Sequence, residues 1–237
     1  KNHEYRVGLV PASVRELAQR GHDVYVQTTA GQGIGVDDRE YEAAGASILP
    51  DAESVFAAAE MIVKVKEPQA VERALLREHH TLFTYLHLAP DAPQTEGLIA
   101  SGATCIAYET VTDDHGHLPL LAPMSEVAGR LSIQAGAWCL EKARGGSGVL
   151  LGGVPGVQPA KVVIIGGGVV GFNACQMAVG MGARVVVLDR SLEVLRFLDT
   201  TFSSSISTVF SNVESIERHI RYADLVVGAV LIPGAAA

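Results

Sequence analysis

Apolar and polar positions along this chain repeat in a pattern that predicts short strands followed by helices. Apolar runs of the length of buried strands are separated by segments of helical spacing, several of which end at glycine. Strands separated by helices in this way pair in parallel, so the pattern predicts a parallel sheet covered on both faces. In the first half, the predicted strands are 24–27, 61–66, 81–88 and 104–108, and the predicted helices are 11–20, 37–44, 69–78 and 92–100.

A second series of strands and helices follows a longer helical segment. Residues 125–144 have helical spacing, with Ser125 as the predicted N-cap and the glycines of 145–148 at the predicted end. This order predicts an α/β protein with two Rossmann-like, doubly wound parallel-sheet domains joined by a long helix, the second domain being incomplete. The predicted divisions are a substrate domain at 1–124, a connecting helix at 125–144 and a dinucleotide-binding domain at 145–237. Within the last, we predict helices at 192–198 and 213–222 and strands at 206–210 and 224–230.

A glycine motif lies between the first two strands of this second series. Gly166-x-Gly168-x-x-Gly171 follows an apolar strand and begins a helix of small residues, and the next apolar strand ends on Asp189. Gly166 permits a tight turn, Gly168 allows the backbone to approach a pyrophosphate, and Gly171 allows close packing of helix on strand. The helix N-terminus offers N–H groups to phosphates, and Asp189 can accept hydrogen bonds from ribose hydroxyls. Asp189 favours NAD over NADP because it repels a 2′-phosphate, although Arg190 beside it weakens that preference.

Composition and charge exclude several classes of function. The chain has 237 residues, 48% of them apolar, and a net charge of −8, which argues against binding to nucleic acid or to an anionic membrane. No apolar run approaches the roughly 18–20 residues that span a bilayer. Cys105, Cys139 and Cys175 are odd in number and far apart, so we predict reduced cysteines in the core and no disulfide or metal site. We therefore expect a cytoplasmic protein.

Three polar residues in the first half are candidates for chemistry. Lys66 and His87 each close a predicted strand before a proline-marked turn, and Arg6 lies just ahead of a predicted helix. An arginine can bind a carboxylate through two hydrogen bonds, a lysine can polarise a carbonyl oxygen, and a histidine can transfer a proton near neutral pH. Together they suit an α-keto acid or an α-amino acid.

Each candidate also has a purely structural interpretation. Lys64 and Lys66 alternate with valines, so either side chain could simply face water. His115 and His117 superficially resemble a metal cluster, but their turn-like surroundings favour a solvated loop. The glycine-rich stretch 31–35 is not framed by a buried strand and a helix, which favours a connection over a second phosphate loop.

A set of motifs, in order along the whole chain, resembles the alanine dehydrogenases. The motifs are N-H-E-Y-R-V-G-L, V-K-V-K-E-P, F-T-Y-L-H-L-A, I-A-Y-E-T-V, P-L-L-A-P-M-S, G-V-L-L-G-G-V-P-G-V and A-D-L-V-V-G-A-V-L-I-P-G. The resemblance implies NAD-dependent oxidative deamination of L-alanine to pyruvate and ammonium, the reverse reductive amination, and a homohexamer. It also implies a chain truncated at both ends, which we expect not to turn over alanine by itself.

The resemblance assigns roles to individual residues. Arg6 and Lys66 would bind the substrate, with Arg6 on its carboxylate, and His87 would be the catalytic acid and base. Met124 and Glu109 would lie near the substrate. The predicted cofactor-binding residues, glycines included, are Ser125, Gly166, Gly168, Val169, Val170, Gly171, Asp189, Ser211, Val230 and Leu231.

Two alternatives stay open at this point. The NAD-binding component of proton-translocating transhydrogenase has this architecture without amino-acid chemistry, and the segment containing His87 favours a dehydrogenase over it. A dinucleotide-binding module without catalysis is the second alternative, but it gives Arg6, Lys66 and His87 no reason to occur together.

Overall fold

The computed structural model describes residues 3–230, which fold into two compact units. The first unit extends to Leu118 and the second begins at Pro119. This division falls six residues before the predicted domain boundary. Within the described residues, no helix is both long enough and apolar enough to cross a bilayer.

The strands of the first unit are all parallel, as predicted, but they form two sheets. β1 and β2 pair with each other, and the other three strands are ordered β3-β4-β5. β1 and β3 do not pair, and residues of both strands line a cavity of about 380 Å³. β2 was not predicted, and the predicted strands 61–66 and 81–88 end earlier in the structure. The bounds are β1 (Val24–Gln27), β2 (Ala46–Leu49), β3 (Met61–Val63), β4 (Thr81–Thr84) and β5 (Thr104–Ala107).

The helices of the first unit begin at side chains that satisfy their free N–H groups. Asp37, Asp51 and Asp91 each accept a hydrogen bond from the backbone of the first turn that follows. The predicted helix 69–78 is only four residues long, because the N–H groups of Leu75 and Leu76 bond to carbonyls three residues back and tighten the chain into turns. The bounds are α1 (Pro11–Gln19), α2 (Asp38–Ala43), α3 (Ala52–Ala58), α4 (Ala70–Arg73) and α5 (Ala92–Ser101).

A buried histidine connects α3 to the start of β4. His80 is 2% exposed, and its Nδ1 accepts a hydrogen bond from the Arg77 backbone at 2.9 Å. Its Nε2 therefore carries the hydrogen and donates to the Phe56 carbonyl at 3.0 Å. Phe56 and Leu82 belong to the apolar core beneath this sheet. His80 is thus a structural residue.

The second unit has a single parallel sheet in the order β8-β7-β6-β9. β6 is central, and its side chains alternate between two cores: Val162 and Ile164 face one, and Val163 faces the other. Helices cover both faces, as predicted for a doubly wound domain. The bounds are β6 (Lys161–Ile165), β7 (Arg184–Asp189), β8 (Ile206–Phe210), β9 (Leu225–Gly228), α6 (Ala122–Cys139), α7 (Val169–Gly180), α8 (Leu192–Phe202) and α9 (Val213–Ile220).

The long helix α6 belongs to the second unit and packs on α7. A Cβ atom added at Gly129 would overlap the Val170 carbonyl oxygen, so the two helix backbones come into direct contact there. Arg130 supports the contact by donating to the Asn173 side chain at 3.0 Å. The N-cap prediction for Ser125 is wrong: the helix begins at Ala122 and has no side-chain cap, and Ser125 lies in its first turn.

The prediction that all three cysteines lie in the core is also wrong in part. Cys175 on α7 is fully buried, and burial raises the pKa of its thiol to about 12. Cys105 is partly buried, but Cys139 is exposed. Cys139 is the last residue of α6 and lies off the face that Ile133 and Leu140 bury.

Candidate active site and dinucleotide site

The first candidate site lies at the carboxyl edge of β3 and β4. The chain beyond β3 continues alongside β4, where the N–H of Tyr85 donates to the Val65 carbonyl at 3.3 Å. The hydroxyl of Thr84, which is fully buried, donates to the Lys66 carbonyl at 3.0 Å. Lys66 therefore follows its strand by three residues instead of closing it, and a hydrogen bond from the neighbouring strand fixes its backbone.

Lys64 and Lys66 have different surroundings. Lys64 makes an ion pair with Glu72 on α4, and its side chain is 23% exposed. Glu72 also accepts from the Gln69 backbone at 2.7 Å, so this pair belongs to the structure of the helix start. Both lysines line the 380 Å³ cavity, as do Glu4 and Arg6, but it is the charge of Lys66 that acts on the Glu4 carboxylate.

Arg6 holds a carboxylate through two hydrogen bonds. Its Nε and one terminal nitrogen donate to the two oxygens of Glu4 at 2.8 and 2.7 Å. The guanidinium of Arg6, helped by the charge of Lys66, lowers the pKa of Glu4 to about 2. This geometry is the one in which arginine binds planar carboxylates most strongly. Arg6 thus holds the carboxylate directly, and the charge of Lys66 adds to its effect.

Glycines on both sides fix the segment that carries Arg6. A Cβ atom at Gly33 would lie 2.9 Å from the Tyr5 carbonyl oxygen, and one at Gly8 would lie 3.0 Å from that of Val63. The stretch 31–35, which the sequence indicated to be a connection, packs directly against the residue before Arg6. Gly33 is needed because a side chain there would clash with the backbone of Tyr5.

Tyr85 lies between the two charged ends of this site. Burial raises the pKa of its hydroxyl, the charge of Arg6 opposes that shift, and the charge of Glu109 adds to it. Its ring packs edge-on against Tyr108, with ring centroids 4.9 Å apart. Sequence reasoning did not select Tyr85, although it lies two residues before His87. Alternation along the predicted strand 81–88 would have placed the two on the same face.

His87 follows β4 at the same edge as Lys66. Its backbone has φ +52°, a left-handed conformation that is uncommon for a residue other than glycine. Its N–H donates to the Glu109 carboxylate at 2.7 Å. The residue is exposed, and within residues 3–230 its imidazole makes no hydrogen bond, which leaves both ring nitrogens available.

The second candidate site is the glycine loop between β6 and α7. A Cβ atom at Gly171 would overlap the Gly166 carbonyl oxygen, so helix and strand meet closely, as predicted. A Cβ atom at Gly166 would lie 2.6 Å from the Ala229 carbonyl oxygen and 3.1 Å from the Val230 side chain. At Gly168, in contrast, a Cβ atom would meet nothing within 4 Å. The space outside the first turn of α7 is therefore open.

Asp189 lies directly beside this loop. Its Oδ2 accepts from the Gly167 backbone at 2.6 Å and its Oδ1 from the Ser191 backbone at 2.7 Å. Ser211, at the end of the neighbouring strand, donates its N–H to the Asp189 carbonyl at 2.9 Å. The loop, the acidic residue and Ser211 thus occupy the carboxyl edge of the sheet.

These residues fit a dinucleotide. The strand order changes direction at β6, between β7 and β9, which is where doubly wound sheets bind their ligands. The free N–H groups of α7, the open space at Gly168 and the carboxylate of Asp189 supply the phosphate and ribose contacts. Val169 at the helix start is 46% exposed.

The remaining predicted residues are divided between the units. Arg6, Lys66, His87 and Glu109 belong to the first unit. The loop residues, Asp189, Ser211 and Val230 belong to the second, as do Met124 and Ser125 in the first turn of α6. Leu231 lies outside the described residues.

The two histidines of the exposed turn do not form a metal site with their neighbours. His117 Nδ1 pairs with the Asp113 carboxylate at 3.0 Å. The same carboxylate accepts from the backbones of His115 and His117, closing the turn. In the part of the chain that the structure describes, no three histidine, cysteine or acidic side chains are placed to hold a metal ion.

The fold and the glycine loop define an α/β protein with a Rossmann-like dinucleotide-binding unit. The chain belongs to the alanine dehydrogenase/PNT family: residues 1–128 match the model of its N-terminal domain, and residues 132–237 match that of its C-terminal domain.

Individual relatives agree with this assignment. An alanine dehydrogenase from Halomonas elongata is 59% identical over the whole chain, which spans 64% of that protein's length. A solved L-alanine dehydrogenase matches the whole chain with a TM-score of 0.92 and 53% identity, and the chain covers 65% of it. A transhydrogenase from Sinorhizobium meliloti matches with a TM-score of 0.81 and 26% identity, with 69% of it covered.

Proposed function

We propose that the protein catalyses the NAD-dependent oxidative deamination of L-alanine, and the reverse reductive amination of pyruvate. The observation that carries the proposal is that Arg6 holds a carboxylate through two nitrogens in a cavity that Lys66 also lines. An α-amino acid presents such a carboxylate beside its reacting carbon. Relatives named alanine dehydrogenase, up to 59% identical, support alanine as the substrate.

In this proposal three side chains act on the substrate. Arg6 binds the carboxylate and orients the molecule, and the ammonium group of Lys66 stabilises negative charge on the carbonyl or carbinolamine oxygen. His87 takes a proton from the water that adds to the imine and returns protons in the reverse direction. NAD, when bound, accepts hydride from the substrate Cα. The balance is alanine, NAD⁺ and water giving pyruvate, ammonium, NADH and a proton.

The residues of the second unit support NAD as the cofactor. Asp189 lies within hydrogen-bonding distance of the loop backbone at Gly167, where the adenosine ribose of a bound dinucleotide would be recognised. Its negative charge disfavours a 2′-phosphate. The proposal therefore includes tighter binding of NAD than of NADP.

Replacing His87 tests the role of the imidazole. The test uses a polypeptide of the relatives' full length that contains residues 1–237, called the full-length protein below. His87→Ala is expected to lower kcat for alanine about 100-fold or more, because it removes the acid and base, while the Kd for NAD stays unchanged. His115→Ala, in the exposed turn, is the matched control and should behave as wild type. Near-normal turnover by His87→Ala would remove His87 from the mechanism.

The transhydrogenase component is the second candidate. The 26% identical structure from Sinorhizobium meliloti supports it through the shared fold. The two candidates differ in one reaction, since only the dehydrogenase forms NADH from an amino acid. We further propose a cytoplasmic homohexamer, by resemblance to the family; sedimentation velocity of the full-length protein measures that state.

A further inference from the structure

The segment that carries His87 is held by side chains from two other elements. His87 has φ +52°, and such a conformation persists only where the surroundings enforce it. Leu86, the residue before it, is buried in the apolar core of the unit. Besides this packing, hydrogen bonds to the backbones of Leu86 and His87 hold the conformation.

Glu109 supplies the first of these contacts. It lies in a short 3₁₀ turn, Tyr108–Thr110, directly after β5. Its Oε1 accepts from the backbone N–H groups of both Leu86 and His87, at 3.0 and 2.7 Å. Hydrogen bonds to an ionised acceptor are stronger than neutral ones. One carboxylate thus ties the backbone of His87 to the neighbouring strand.

Gln94 supplies the second contact from the opposite side. It lies on α5, is fully buried, and donates from Nε2 to the Leu86 carbonyl at 2.5 Å. The peptide groups around Leu86 are therefore fixed at both the N–H and the C=O. His87 follows this fixed segment. The direction of its Cα–Cβ bond is therefore set by the backbone, and the imidazole rotates only about the side-chain bonds.

We propose that Glu109 is a positioning residue that sets the direction of the His87 side chain through the backbone, with Gln94 as its partner. The inference rests on the proposed function, because it assigns to His87 the proton transfer described above. Without the Glu109 carboxylate, no other polar group within residues 3–230 holds the N–H of His87, and the left-handed conformation relaxes. The imidazole then loses its alignment while its chemistry is unchanged.

The test compares Glu109→Ala and Glu109→Gln in the full-length protein, with the exposed Glu96→Ala on α5 as control. Glu109→Ala is expected to lower kcat for alanine about 100-fold, the cost of misplacing a catalytic group by about 1 Å, with little change in the KM for alanine or the Kd for NAD. Glu109→Gln keeps an acceptor oxygen and should recover most of the loss. Glu96→Ala should behave as wild type.

Several outcomes would overturn the inference. They are a folded Glu109→Ala protein with kcat within about twofold of wild type, equal losses for the alanine and glutamine variants, or a loss that falls on KM alone. If Glu109→Ala does not fold, Glu109→Asp, one methylene shorter, takes its place: lowered kcat at unchanged KM is expected, and unchanged kcat overturns the inference. Failure of the proposed function itself is distinguishable, because the wild-type full-length protein would then form no NADH from alanine, whereas this inference fails while wild type is active.

Discussion

The carboxylate that Arg6 binds in this structure is supplied by Glu4, two residues before it. A substrate carboxylate that uses the same two nitrogens has to displace Glu4. Because the Arg6 side chain is 42% exposed, water screens the pair, and its stabilisation is about 1 kcal/mol or less. Displacement of Glu4 by a substrate carboxylate therefore requires little free energy. We propose that Glu4 keeps the guanidinium oriented until substrate binds.

The lowered pKa of Glu4 gives a pH-dependent prediction. Because its folded pKa of about 2 is below its ordinary value of 4.5, the stabilisation is fully present above 4.5 and is lost as the pH falls through 2. Glu4→Gln should therefore lower the urea midpoint slightly at neutral pH and by less at about pH 3. The exposed Glu16→Gln on α1 is the control. A difference that stays constant or grows with acidification would contradict the assignment.

Residue type and predicted strand ends led the sequence analysis to nominate Lys66 and His87, and Arg6 was nominated for its position ahead of a predicted helix; both strands end three residues before the nominated residue. Their local geometry was not predictable, because it depends on contacts made by residues distant in the chain. Glu109, 22 residues after His87, holds its backbone, and Thr84, 18 residues after Lys66, holds the Lys66 carbonyl. The ion pair of Lys64 with Glu72, which distinguishes Lys64 from Lys66, likewise depends on the position of α4.

At the scale of elements, the strand, glycine loop and helix from β6 to α7 follow the predicted pattern closely. The pattern depends mainly on nearby residues. A side chain at Gly171 would clash with the Gly166 carbonyl, and one at Gly166 would clash with the chain that follows β9. The start of α6 was predicted less well. Ser125 has the composition of an N-cap, but Pro123 in the first turn and packing on α7 allow the helix to begin at Ala122.

The glycine loop yields a paired prediction, because Gly168 and Gly171 have opposite surroundings. A Cβ atom at Gly168 enters open space at φ −68°, so Gly168→Ala should fold normally but obstruct the dinucleotide, weakening NAD binding about tenfold or more. Gly171→Ala would overlap the Gly166 carbonyl and should destabilise the fold by about 1–3 kcal/mol. Calorimetric titration with NAD and urea unfolding separate the two effects. NAD binding that is unchanged in Gly168→Ala would place the cofactor elsewhere.

At the scale of the whole molecule, the sequence predicted two α/β units with parallel strands, and the structure has them. The sheet of the second unit could be predicted because its two inner strands, β6 and β7, are apolar and buried on both faces. The first unit was harder, since β2 and α3 are short and only partly apolar. Its division into two sheets depends on the pairing of strand edges, which leaves no signal in the pattern of apolar positions.

We propose that the full-length protein oxidises alanine with NAD. The most direct measurement is NADH absorbance after purified full-length protein is mixed with NAD and a panel of small amino acids. We expect NADH formation that requires L-alanine and yields pyruvate in equal amount, and a slower reaction with NADP. Tight binding of NAD without NADH formation from alanine or any other small amino acid would contradict it and favour a non-dehydrogenase role for the fold.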